Sequence, residues 1–252
     1  MSYNGAPFCG WQIQPGVPTV QGSMEDALEM LLHSRVGVTG AGRTDTGVHA
    51  LRYVAHFDFD GELDCPQLRY RLNAVLPKGI SIASVSPADA EFHARFSAVS
   101  RSYSYFLHRV KNPFLDDRSY YYAYPGIDFA LMNSCARTLL GRHDFSCFEK
   151  SGGDNKTSVC TVSKAEWVQY EPFEGVAPGS CWRFDIEADR FLRNMVRAVV
   201  GTLLEAGRGR RSPENFCRLV LPAGESASHL PRRSEAGESV PGHALFLTDV
   251  KY

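Results

Sequence analysis

Gly37-Val38-Thr39-Gly40-Ala41-Gly42-Arg43-Thr44-Asp45-Thr46-Gly47 is the stretch whose reading decides the fold. Its opening, Gly37 to Thr44, comes close to the phosphate-binding pattern G-x-x-x-x-G-K-[ST], with Arg43 in the place of the lysine. A guanidinium is a wide planar fork, where that loop needs a slender ammonium. Context weighs more. A phosphate loop opens a helix, whereas this chain runs through Asp45-Thr46-Gly47 towards an alternating segment, Arg52 to Asp58. No clear apolar strand ending in Asp offers a magnesium ligand. A dinucleotide fingerprint beginning at Gly40 would need glycine at position 45 and meets Asp. Both nucleotide-binding folds are set aside. What remains is a carboxylate between glycines, two residues after an arginine. Glycine allows unusual backbone shapes and the close approach of a bulky ligand. A neighbouring arginine favours the ionised carboxylate. Such a group, with no metal and no obvious histidine partner, suits nucleophilic attack better than proton shuttling. On these residues alone, Asp45 as a plain turn cap explains the pattern equally well.

On the N-terminal side of this stretch, Tyr3 to Gln14 is turn-rich, and Thr19 has the character of an N-cap. Val20, Met24, Ala27, Leu28, Leu31 and Leu32 follow at helical spacing, predicting an amphipathic helix of about fifteen residues. On the other side, Arg52 to Asp58 predicts a strand with Val54, His56 and Asp58 on one face. Gln67 to Leu76 predicts a short helix ending before Pro77, and Ile80 to Val85 a strand. Further strands are expected at Ser102 to Arg109, Lys164 to Tyr170, Trp182 to Ala188 and Leu245 to Val250. Helices are expected at Asp128 to Leu140 and Phe191 to Ala206. The latter keeps Leu192, Met195, Val196, Val199, Val200 and Leu203 on one stripe, with Arg190, Arg193 and Arg197 on an adjoining face. Arg208 to Ser239, rich in Gly, Pro, Ser and charge, reads as the most mobile part. There are too many strands for a helical bundle. The expectation is an α+β protein of two domains, 1–97 carrying the Asp45 loop and 98–252 completing the site, the halves being compatible with duplication of one α+β unit.

Composition sets the outer limits. The chain has 252 residues, 44% apolar and 22% charged, as a soluble globular protein does. No apolar run reaches membrane-spanning length. Met1 to Gly5 is neither basic nor apolar, so no signal peptide is read there and a cytoplasmic address is expected. Seven scattered cysteines without paired spacing read as reduced thiols, mostly in the core. The histidines form no zinc-binding pair, so no metal is expected. A net charge of −1 does not advertise a nucleic-acid binder, although a local basic face suffices to hold phosphates. Among the 27 basic residues 21 are Arg, and eight Arg with no Lys lie from Arg183 to Arg218. Arginine grips phosphates and stacks on bases as lysine does not. An ordinary solvated surface accounts for this bias equally well.

Ala41-Gly-Arg-Thr-Asp-Thr-Gly-Val-His49 closely resembles the active-site motif of the tRNA pseudouridine synthase A family. Tyr3-Asn-Gly5, Gly10-Trp-Gln12 and Thr19-Val-Gln21 match upstream of it. Leu72-Asn-Ala-Val-Leu-Pro77, Phe92-His-Ala-Arg-Phe96, Tyr103-Ser-Tyr105, His143-Asp-Phe145, Phe191 to Gly201 and Leu245-Phe-Leu247 follow in family order, covering nearly the whole chain. The resemblance implies the pseudouridine synthase fold: two ferredoxin-like halves forming a mixed central sheet flanked by helices, with the active-site cleft between them. It implies isomerisation of uridine to pseudouridine at positions 38, 39 and 40 of the tRNA anticodon stem-loop, by base flipping, without cofactor or metal.

Asp45 then stands at the nucleophile's position, its adduct forming at uracil C6 or ribose C1′. Arg43 matches the residue that assists the flip, a plain phosphate or carboxylate contact being its alternative. Tyr103 matches the tyrosine that stacks on the base and takes the C5 proton, and Arg197 the partner of the nucleophile. The helix reading supports Arg197 separately, because it sits off the apolar stripe of a largely buried helix. Leu245 matches an apolar residue against the uracil, with ordinary core as its alternative. Arg190 and Arg193 are candidates for phosphate contacts, while Trp11 and His49 take structural roles. The family works as a homodimer on one tRNA. A non-catalytic tRNA-binding protein or chaperone is the competing function. This sequence departs from the family in starting at Met1, where a strand normally precedes Tyr3-Asn-Gly5. It also has Pro241-Gly-His-Ala244 in place of a Pro-Ala-x-Gly run, which bears on Leu245.

Overall fold

A computed structural model describes residues 1–152, 156–224 and 231–252. The chain divides into two units, Met1–Val99 with Phe246–Tyr252, and Ser100–Leu245. The first contains β1 (Ser2–Tyr3), α1 (Val20–Leu32), β2 (Thr39–Gly40), β3 (His49–Ala50), β4 (Ala55–His56), α2 (Cys65–Val75) and β5 (Ile80–Ser81). The second contains β6 (Ser100–His108), β7 (Tyr120–Tyr121), α3 (Phe129–Arg137), β8 (Gly141–Asp144), β9 (Val159–Gln169), β10 (Cys181–Ala188), α4 (Met195–Gly207), α5 (Pro213–Cys217) and β11 (Leu221–Pro222). The last strand, β12 (Leu245–Lys251), belongs to the first unit from Phe246 onward.

The first unit's sheet runs β5-β1-β3-β12, with β1 antiparallel to both neighbours and β12 parallel to β3. β2 and β4 pair separately. Thr19 caps α1, its side chain accepting from the Gly22 N–H, and Asp64 caps α2 by accepting from Gln67. Each such bond satisfies a donor that the helix itself leaves open, at about 1 kcal/mol. Asn73 on α2 exchanges two bonds with the backbone of Ile82, at 2.8 and 2.9 Å, tying the helix to the strand that follows.

The second unit's sheet runs β11-β8-β9-β10-β6, antiparallel throughout, with β7 added parallel to β6. Register gives this sheet two unlike faces. Tyr103, Ile186 and Ala165 align on one face, as do Tyr105, Phe184 and Trp167. α3 covers that face: Phe129 stacks on Trp182 at 3.7 Å, and Asn133 bonds both backbone groups of Trp167. Burying each apolar side chain here contributes about 1.5–3 kcal/mol. The other face is polar. Ser104 donates to Asp185 at 2.6 Å, and the Arg183 guanidinium reaches the same carboxylate at 2.9 Å. The fold is α+β, as expected, and among the described residues no helix is long and apolar enough to cross a membrane. Four cysteines, at 135, 147, 160 and 181, are buried, whereas Cys217 is exposed and Cys9 and Cys65 are half-buried.

Several expected boundaries move. The strand expected from Arg52 to Asp58 shrinks to Ala55–His56, because β2 offers it only two residues to pair with. Ile80 to Val85 shrinks in the same way to Ile80–Ser81. The larger correction concerns the arginine-bearing helix, which starts at Met195 rather than Phe191. Asn194 is in the left-handed region (φ 64°), and its amide donates to the Ser239 hydroxyl. Arg190 and Arg193 therefore precede α4 and share no helical face with Arg197. In the segment from Arg208 to Ser239, α5, β11 and a short 3-10 turn at Arg233–Glu235 are regular, while residues 225–230 lie outside the described residues.

Candidate active site

In the first unit Asp45 lies on the loop between β2 and β3, half-buried, with Arg43 and Thr46 exposed around it and Thr44 and Val48 buried beneath. The loop is held from below at consecutive points. Thr44 bonds through its hydroxyl to the Tyr3 phenol at 2.9 Å, and its carbonyl accepts from the Trp11 N–H at 3.1 Å. The Asp45 carbonyl accepts from the Val48 N–H at 3.1 Å, closing a turn in which Gly47 takes φ 78°. The Tyr53 phenol donates to the Gly42 carbonyl, and the Ala41 N–H to Val54.

These anchors form one aromatic cluster, Trp11 lying 4.3 Å and Tyr3 5.4 Å from Tyr53 between ring centroids. Glycines allow the closeness. A Cβ on Gly40 would meet Tyr53 and Trp11 within 2.6 Å, and one on Gly10 would meet the Thr44 carbonyl at 2.5 Å. His49 accepts from the Gly5 N–H at 3.1 Å and stacks on Phe246 at 4.3 Å. The upstream motifs Tyr3-Asn-Gly5 and Gly10-Trp-Gln12 thus converge beneath Asp45. Fixing a loop by buried, mutually satisfied contacts preorganises the group it carries.

In the second unit Tyr103 is half-buried on β6, its ring edge-on to Phe191 at 5.1 Å. Two residues along, Tyr105 is fully buried and donates to the Pro241 carbonyl at 3.1 Å. Burial pushes the Tyr105 phenol far up, Tyr120 adding to this and the Arg197 charge opposing it. Arg197, in the first turn of α4, donates through Nε to the Val240 carbonyl at 2.7 Å, while its own carbonyl accepts from the Val240 N–H. Gly201 lies beneath the same segment, where a Cβ would strike the Glu238 carbonyl. The Gly237 N–H donates to Thr202, and Arg233 reaches Gly237 and Ser239. This strap leads through a 3-10 turn at Gly242–Ala244 to Leu245, which is buried.

Arg193 is exposed and donates to the Ser151 and Gly152 carbonyls at 3.1 and 3.4 Å. Arg190 is half-buried beside Asp189, which accepts from its N–H at 2.7 Å. Of the sequence candidates, the structure groups Asp45 and Arg43 on one loop in the first unit, and places Tyr103, Arg197, Leu245, Arg190 and Arg193 in the second. Among the described residues no cluster of His, Cys, Asp or Glu has a metal-binding arrangement.

A family model described as tRNA pseudouridine synthase matches residues 1–97 and 135–252. The chain belongs to the tRNA pseudouridine synthase family. It is an isomerase that converts uridine to pseudouridine in tRNA. A protein of Parabacteroides distasonis named tRNA pseudouridine synthase A is 46% identical, over all of this chain and 94% of its own length. Proteins of the same name from Bacteroides fragilis and Chlorobaculum tepidum are 43% and 39% identical, again over the whole of this chain and over 94% and 96% of theirs. These relatives carry the names of enzymes, and nothing in them favours the non-catalytic reading. Sequence reasoning did not single out Tyr53 and Thr44 in this tRNA pseudouridine synthase, because their partners are distant in the chain. Tyr103 lies in the segment 98–134 that the family model leaves unmatched.

Proposed function

We propose that this synthase acts at positions 38, 39 and 40 of the tRNA anticodon stem-loop, with Asp45 as nucleophile. A uridine within a stem is stacked, so it must be extruded, at a cost of about a few kcal/mol. Arg43 assists the extrusion, and Tyr103 gives the base an aromatic platform. Asp45 forms a covalent adduct at uracil C6 or ribose C1′. The N1–C1′ bond breaks, the base turns, C5 bonds to C1′, and the bond to Asp45 is broken again, which frees the carboxylate. The C5 proton leaves to Tyr103 and N1 gains one, so the product is an isomer and no atom is gained or lost. Arg197 is the cationic partner of Asp45 and favours its ionised form. Leu245 packs on the uracil. Arg190 and Arg193 contact phosphates, Arg193 with donors not engaged by the 151–152 carbonyls. The reaction needs neither metal nor cofactor, and the enzyme works in the cytoplasm as a homodimer with one tRNA touching both subunits.

What supports this reading is the way Asp45 is held. Thr44, just before it, is bonded to a buried scaffold and the Val48 N–H closes a turn onto the Asp45 carbonyl, while Asp45 itself keeps access to solvent. A turn cap requires no such scaffold. Mapping pseudouridine across the tRNAs of a strain lacking this protein tests the substrate: loss at positions 38 to 40 is expected, and full retention there would refute the assignment. Tyr103→Phe keeps the platform and removes the hydroxyl, so kcat should fall with KM little changed. Unchanged kcat would remove Tyr103 from proton transfer.

A further inference from the structure

Within the second unit a line of tyrosines leads away from Tyr103. Tyr105 lies on the same face of β6 as Tyr103, and its ring is edge-on to Tyr120 at 6.4 Å. Tyr120 neighbours Tyr122 at 5.4 Å, and Tyr122 neighbours Tyr124 at 6.4 Å. β7 pairs with β6 at Leu107 and His108, so the line leaves the sheet about 13 Å along the strand from Tyr103. Exposure rises along it: Tyr105 is 0% exposed and Tyr124 is 38% exposed. At the outer end sits Arg208, whose guanidinium lies 3.9 Å over the Tyr124 ring and donates to the Tyr122 hydroxyl at 3.1 Å. Arg109 reaches the Tyr124 carbonyl at 3.5 Å, and Arg210 is exposed two residues beyond Arg208. Residues 120 to 124 fall in the segment that the family model leaves unmatched.

We propose that Tyr122, Tyr124 and Arg208, with Arg210 beside them, form a second tRNA contact that grips the sugar-phosphate backbone away from the target nucleotide. The inference rests on the anticodon stem-loop reading above. Helical RNA is recognised mostly by its shape and through its ribose hydroxyls and phosphates. Guanidinium and phenol groups are suited to those, a planar fork bonding two phosphate oxygens at once. Holding the guanidinium against a ring and a hydroxyl fixes its plane before RNA arrives, so less freedom is lost on binding. The outer tyrosines also mark the direction: their line begins beside the tyrosine assigned to the target base and ends at cations. Tyr105, buried, and Tyr120, half-buried, serve as its support.

The test is steady-state kinetics and filter binding on full-length unmodified tRNA at several salt concentrations, with Arg208→Gln, Arg210→Gln, the double variant and Arg208→Lys. Each lost phosphate contact lowers the slope of log affinity against log salt by about one. The double variant should raise KM about tenfold with kcat at saturation retained, and should lower the slope by about two. Arg208→Lys should keep the wild-type slope while losing part of the affinity, because charge is kept and the fork is lost. A merely structural role for Arg208 would change affinity in both Arg208 variants and leave the slope unaltered, which would overturn the proposal. So would unchanged KM and slope in the double variant, or a changed oligomeric state at unchanged tRNA affinity. Pseudouridine mapping of full-length tRNA treated with wild-type enzyme is the reference. If positions 38 to 40 are not modified, the stem-loop reading fails, separately from the outcome at Arg208.

Discussion

Tyr53 carries out its work through one hydroxyl. Its ring packs on Trp11 and Tyr3, and its phenol donates to the Gly42 carbonyl, three residues ahead of Asp45. Tyr53→Phe keeps the ring and leaves that carbonyl short of a partner, a loss of about 1 kcal/mol in stability. Misplacing a reacting group by about 1 Å can cost up to about a hundredfold in rate. The expected result is a kcat about tenfold lower with KM nearly constant, read in steady-state assays on unmodified tRNA. An unchanged kcat after Tyr53→Phe, or a loss confined to KM, would contradict a positioning role. At this scale the Gly-rich loop that carries Asp45 was legible in the sequence, because a carboxylate between glycines is a local signal of a turn. Its supports were not. Thr44 meets Tyr3 across 41 residues of chain, a distance that spacing and periodicity cannot bridge.

Elements were legible where their signals were local. Thr19, Asp64 and Asp128 each cap a helix by accepting from the backbone N–H three residues ahead, and an N-cap of this kind is visible in a short window. α4 was misjudged at its start because Asn194 is held by Ser239, 45 residues on. β8 and β9 show a further local device, with a consequence for pH. Asp144 ends β8, and it accepts from the Ser158 hydroxyl at 2.6 Å and the Ser146 N–H at 2.8 Å. Burial alone would raise its pKa, but these donated bonds outweigh it and hold the carboxyl below its ordinary range. A depressed carboxyl stabilises the fold above the unfolded-state value, about 3.9. That contribution is lost as pH falls through the lower folded-state value. Wild type should therefore be more stable than Asp144→Asn at pH 6, with the gap closing as pH drops from about 4 towards 2. Denaturant titrations at each pH check this, and a constant gap would refute it.

For the whole molecule, the alternation of strands and helices made the α+β class readable. Membership of Phe246–Tyr252 in the first unit was not, since a seven-residue strand gives no sign of which partner it will pair with. There Phe246 and Leu247 pair in parallel with His49 and Ala50, at the end of the Asp45 loop. Deleting residues 246–252 should leave β3 without this neighbour and His49 without its stacked ring. A lower Tm is expected, together with faster amide exchange at His49 and Ala50. An unchanged Tm would show that β12 contributes nothing to the first unit. The central claim is that Asp45 forms a bond to the substrate. Pseudouridine formation replaces the hydrogen on C5 with carbon, so tritium placed there is released to water as turnover proceeds. Tritium release by Asp45→Asn, on anticodon stem-loop RNA that the variant still binds, is the most direct measurement. A drop of about a thousandfold or more with RNA affinity retained is predicted, whereas release at or near the wild-type rate would contradict the nucleophile assignment.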